Sequence, residues 1–206
     1  NTSSDFAAQI PTFVKQAEQR IYNTVQFPSL RKNVTGVTST NNKYLSCPND
    51  FLAVYSMAVI DGTGAYEYLL NKDVNFIRQA YPVPTSTGIP KYYALFGPTV
   101  SGVTITNELS FILGPTPDTI YNVELHYYYY PESITTATTT WLGDNFDSVL
   151  LYGSIVEAYT YMKGEQDMMT LYNQKYMEAL ALAKRLGDGM ERQDAYRSGQ
   201  FRQAVT

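Results

Sequence analysis

Between positions 11 and 25 apolar residues recur at helical intervals. Phe13, Val14, Ala17, Ile21 and Val25 form one stripe, while Lys15, Glu18, Gln19 and Arg20 take the other side. The spacing predicts an amphipathic helix over 11–25. Pro11 suits its first position, where a missing N–H costs nothing, and Phe27-Pro28 ends it. A short turn over 5–10 precedes it.

From about Leu30 the period shortens to two. Strands are predicted over 33–39, 44–46, 53–60, 66–70, 92–95, 110–113 and 121–130. Clusters such as Asp61-Gly62-Thr63-Gly64 and Gly114-Pro115-Thr116-Pro117-Asp118 separate them. One or two helical turns fit 73–81. In the last strand Val123, Leu125, Tyr127 and Tyr129 alternate with Glu124, His126, Tyr128 and Tyr130, giving a core face and a solvated or partner-covered face. Many short strands at regular spacing predict a small antiparallel sandwich or barrel.

Residues 133–140 read as a low-complexity connector, after which helical spacing returns. Asp144 is placed to cap a helix with the stripe Phe146, Val149, Leu150, Gly153, Val156 and Met162, broken at Gly164. A second helix over 165–186 carries Met168, Leu171, Tyr172, Tyr176, Leu180, Ala183 and Leu186, with Gly187 and Gly189 as its stop. So short a break predicts an antiparallel hairpin. The fold class is α+β: a three-helix packing unit, made of the N-terminal helix (1–30) and the hairpin (133–187), interrupted by a β domain (31–132). Phe13, Ile21, Val149, Leu150, Val156, Leu171 and Leu180 are expected in one core.

The stretch 188–206 has no apolar face. Met190, Tyr196, Phe201 and Val205 follow neither helical nor strand spacing, while Arg192, Arg197 and Arg202 recur every five residues. Alone it buries too little to offset an ordering cost of ~1–2 kcal/mol per residue. Arginine and aromatic side chains concentrate binding energy at interfaces. A frayed terminus and an arm that orders on a partner both fit.

Composition narrows the chemistry. The 206 residues include 19 tyrosines, one tryptophan, one histidine and one cysteine, with a net charge of −4. No basic block announces nucleic-acid binding. One cysteine excludes an internal disulfide framework and a cysteine zinc site, and fits intracellular assembly. No apolar run reaches the ~20 residues of a membrane span, and no signal peptide is visible. His126 reads as a surface or hydrogen-bonded sheet residue, and Cys47 as a packed thiol. Phosphate-loop, dinucleotide and zinc-helix motifs are missing. Asp144 with Asp147, and Glu165 with Asp167, read as helix-terminal charges rather than paired catalytic carboxylates. No catalytic activity, metal or cofactor is expected.

The order of elements then carries a resemblance. PTFVKQAEQRIYNTV is followed by YLSCPNDFLAVYSMAV, PKYYALFG and ELSFILGPTPDTIYNVELHYYYYP, and then by WLGDNFDSVLLYGSIVEAYTYM and EQDMMTLYNQKYMEALALAKRL. Y-L-x-x-P-x-D-F at 44–51, the 90–93 strand entry and P-x-P-D at 115–118 are its strongest signals. The succession resembles the head-to-tail adaptors of short-tailed bacteriophages, the group of tail tubular protein A. The resemblance implies a virion protein of the neck or tail, assembled in the host cytoplasm. It implies a ring, of twelve copies, joining the portal protein to the tail nozzle, with fibres or spikes beside it and the genome passing through. It also implies that residues 188–206 dock on the portal, with Arg192, Tyr196, Arg197, Phe201 and Arg202 as the contacts. The competing reading is a tyrosine-rich module that stacks on carbohydrate, or another tail-associated binding module.

Overall fold

The computed structural model describes residues 4–101, 104–107 and 109–191; side chains at 99–108, 188, 190 and 191 are outside the description. Two compact units form. One is Arg31–Tyr129, and the other gathers the chain before and after it.

The helical unit starts with α1, Ser4–Thr24, which is longer than its apolar stripe predicts because the turn over 5–10 is continuous with it. Pro11 therefore lies inside the helix rather than at its start. Phe13, Ala17, Ile21, Tyr22 and Val25 are buried. So is Glu18, at 2% exposed, which contradicts its placement on the polar side. Its carboxylate accepts a hydrogen bond from the Ile134 amide at 2.9 Å, capping the start of α3, Ile134–Ala137. The connector over 133–140 thus contains a helical turn.

Asp144 does not cap the next helix. Thr140 Oγ1 accepts from the Gly143 amide and starts a short α4, Trp141–Asn145, which contains Asp144. α5, Asp147–Met162, follows at once, with Phe146 at the junction. Phe146 stacks on Phe27 at 5.4 Å and lies 5.6 Å from Trp141, so an aromatic cluster fixes this corner. The hairpin break is Lys163, in the left-handed region at φ 52°, followed by Gly164.

α6, Gln166–Glu191, does not stop at Gly187 or Gly189 but runs through both. A Cβ on Gly187 would meet Val25 Cγ1 at 2.9 Å and the Gln26 carbonyl oxygen at 3.0 Å. This glycine serves close packing, not termination. Gly153 does the same on α5, where a Cβ would lie 3.1 Å from the Tyr176 ring and 3.2 Å from Ala17 Cβ. α5 thus packs on both α1 and α6. Arg20 pairs with Glu157 and lies over the Tyr176 ring.

The β unit holds β1 Arg31–Val37, β2 Tyr44–Ser46, β3 Ala53–Ile60, β4 Tyr66–Tyr68, β5 Leu70–Asn71, α2 Val74–Ala80, β6 Tyr92–Phe96, β7 Thr99–Ser101, β8 Thr104–Asn107, β9 Ser110–Gly114 and β10 Asn122–Tyr128. One sheet has the order β1-β10-β3-β4, the other β2-β9-β6-β5, and β7-β8 form a separate ribbon that the hydrophobic pattern did not predict. Among the described residues, the paired strands run antiparallel except β5 with β6, and an isolated parallel bridge joins Thr87 to Thr116. Asp73 caps α2 by accepting from the Asn75 amide at 2.7 Å. Met57, Val59, Val123, Leu125 and Tyr127 from the first sheet meet Tyr93, Phe111 and Leu113 from the second in one core. The expected alternation of β10 is observed: odd positions are buried, and Glu124, His126 and Tyr128 face outward.

Candidate assembly surfaces

The arm residues Arg192, Tyr196, Arg197, Phe201 and Arg202 lie outside the described residues. Asp188–Glu191, assigned to the arm from sequence, belong to α6 instead.

On the helical unit, α6 buries Tyr176, Leu180 and Ala183, at successive steps of four and three. Leu171 and Leu186, expected on that stripe, are 46% and 48% exposed. Leu171 lies five residues before Tyr176, which rotates it well away from the packed face at 3.6 residues per turn. It falls instead on the side of Leu182, three turns on, where Gln174, Lys175 and Glu178 lie between them and Lys175 pairs with Glu178, so this exposed side of α6 is mixed rather than apolar. α5, by contrast, is two-faced. Val149, Leu150 and Gly153 are buried, while exposed Leu151 and Met162 bracket half-buried Ile155 and Ala158 on another side. Val156 is half-buried as well. A helix apolar on two faces fits a molecule whose second face meets another surface.

On the β unit, a bulge between His126 and Tyr127 leaves Tyr55 unpaired in the β3–β10 ladder. The Tyr55 ring meets Tyr128 edge-on at 5.9 Å, and the Arg31 guanidinium lies 4.8 Å from the Tyr55 centroid. At the other edge Tyr66 and Tyr68 stack at 6.2 Å. Tyr55, Tyr66 and Tyr68 are 51%, 50% and 66% exposed.

Between these rings stands a polar line. Ser56 Oγ lies 3.0 Å from His126 Nδ1, and His126 Nε2 lies 3.1 Å from Glu124 Oε1. Asn33 Nδ2 donates to the same carboxylate at 3.3 Å, and the hydrogen bond between Tyr66 and Glu124 raises the Tyr66 phenol above its ordinary range. His126 is the hydrogen-bonded sheet residue its surroundings predicted. Glu124, two residues earlier on the same strand face, was visible in the sequence, but Ser56, 70 positions away, was not.

Cys47 packs against the sandwich core, and burial pushes its thiol up to about 12, where the reactive thiolate is scarce at neutral pH. Asp144 and Asp147 occupy consecutive helices near their starts, and Asp147 Oδ1 accepts from the Ser148 amide at 2.6 Å. Among the described residues, no group of three or more histidine, cysteine or carboxylate side chains is placed to hold a metal ion, and no helix is long and apolar enough to cross a membrane.

No curated protein sequence matches the chain. The family described as SU10 adaptor protein matches it over residues 1–204, nearly its whole length. With that match spanning both the helical and the β unit, the chain belongs to the SU10 adaptor protein family, a group of phage structural adaptors.

Proposed function

We propose that this adaptor is a neck component that forms a ring, of twelve copies, between the portal and the tail nozzle of a short-tailed phage, with the genome passing through its centre. The observation that carries this reading is the family match over residues 1–204. The second apolar stripe on α5 supports it, since apolar surface left over on a packed helical unit suits contact with neighbouring copies. The residues after Glu191 are assigned to portal docking. Arg192, Arg197 and Arg202 supply planar, bidentate donors for carboxylates, and Tyr196 and Phe201 supply apolar anchors. With Asp188 and Glu191 inside α6, residues 192–206 carry three arginines against Asp194 alone, which favours an acidic docking surface on the portal.

Cosedimentation with isolated portal rings tests the assignment. The full chain is expected in the pellet at a fixed ratio to the portal, with the particle growing by a disc of density on one end. A chain that stays in the supernatant with assembled portals at micromolar concentration overturns it.

A further inference from the structure

We propose that the outer face of the β1-β10-β3-β4 sheet is a docking surface for an extended protein segment that inserts an arginine between tyrosine rings to reach Glu124. The Glu124 carboxylate sits near the centre of this face, with Asn33, His126 and Tyr66 around it. Asparagine and tyrosine are neutral donors, and the imidazole completes a neutral line when Nε2 carries its hydrogen toward Glu124 and Nδ1 accepts from Ser56. Such donors satisfy the oxygens without cancelling the charge. Among the described residues, no lysine or arginine forms an ion pair with Glu124.

The surroundings select the class of cation. The stacked Tyr66 and Tyr68 rings stand at one margin and Tyr55 with Tyr128 at the other, with small Ser56 and buried Ala58 between them on β3. Aromatic faces attract guanidinium groups, and a guanidinium also fits a carboxylate oxygen in plane. The face already holds such a pair in the Arg31 guanidinium over Tyr55 at 4.8 Å. A saccharide would use the same rings, but it needs polar groups free to exchange hydrogen bonds with hydroxyls. Here Ser56, His126 and Asn33 are already engaged, and what is left over is charge.

The test uses the full-length protein and does not depend on the adaptor assignment, so the two readings fail separately. The probe is the peptide acetyl-Gly-Tyr-Arg-Tyr-Gly-amide, with a citrulline analogue of equal shape and no charge, followed by NMR of tyrosine-ring and His126 signals. Saturable shifts confined to Tyr55, Tyr66, Tyr68, Tyr128 and His126 are expected. Citrulline, or Glu124→Gln, should weaken binding by roughly tenfold, the share of one charge-assisted hydrogen bond. Tyr68→Ser, at an exposed position, provides a second variant if Glu124→Gln fails to fold, and it should weaken binding as well. Equal affinity for the citrulline peptide, shifts elsewhere on the molecule, no saturable shift, or binding of a neutral oligosaccharide in place of the peptide each overturns the proposal.

Discussion

Tyr127 donates its hydroxyl hydrogen to Asp50 Oδ1 at 2.7 Å, joining a strand in the sandwich core to the loop ahead of β3. The other oxygen of that carboxylate holds Lys32 Nζ at 2.7 Å. Burial alone would push the Asp50 carboxyl up, but the hydrogen bonds from Lys32 and Tyr127 outweigh it and hold it below the ordinary range. A depressed folded-state value stabilises the fold above the unfolded value of ~3.9, and this contribution is lost as pH falls through the folded value. Asp50→Asn should therefore be less stable than the native chain at neutral pH, with the difference closing below about pH 4. Urea melts at pH 7 and pH 3 check the sign. Tyr127→Phe should cost ~0.5–1.5 kcal/mol at pH 7.

Two glycines on one helix should respond in opposite directions. Gly187→Ala adds a methyl against Val25 and a backbone oxygen that has little room to move, and should destabilise by ~1–3 kcal/mol despite the better helix propensity. Gly189→Ala meets nothing within 4 Å and should stabilise by up to ~1 kcal/mol. Thermal melts of the two variants side by side decide it. Equal effects would mean that α6 frays before Gly187.

Leu180 and Leu171 separate the two faces of α6. Leu180→Ala should cost ~2–5 kcal/mol because the side chain is buried. Leu171→Ala should change the stability of the isolated subunit by less than ~0.5 kcal/mol. If this exposed side of α6 contacts neighbouring copies, the same Leu171 substitution should lower ring yield, measured by native mass spectrometry.

Removing 192–206 should leave melting of the remaining chain unchanged within about 0.5 kcal/mol and abolish portal cosedimentation. Portal binding at full strength by the truncated chain would falsify the docking role of Arg192, Tyr196, Arg197, Phe201 and Arg202.

The architecture was legible wherever periodicity met a buried face. β2 and β3 have the predicted bounds, and β10 alternates as read, because strands with one covered face need their apolar set in register. Errors fell where one residue type serves two purposes. Gly187 and Gly189 look like a C-terminal stop, yet Gly187 lets α6 approach Val25. Glu18 looks solvent-facing, yet it satisfies the Ile134 amide across 116 positions. Leu171 and Leu186 match a loose helical pattern, but they fall on the side of α6 that also carries Gln174, Lys175 and Glu178, away from Tyr176, Leu180 and Ala183. The Ser56 end of the Ser56–His126–Glu124 line depends on strand pairing, which no local pattern encodes.

The β unit begins and ends on paired neighbours, Arg31 opposite Tyr128 across β1 and β10. Once that ladder zips, roughly a hundred residues of intervening chain act on the helices as a link only a few residues long. The contact between α1 and α5, separated by more than a hundred positions, then carries the closure entropy of a short loop. Folding order follows: pairing of β1 with β10 should precede docking of α5 on α1, and substitutions that weaken the ladder should slow assembly of the helices they never touch.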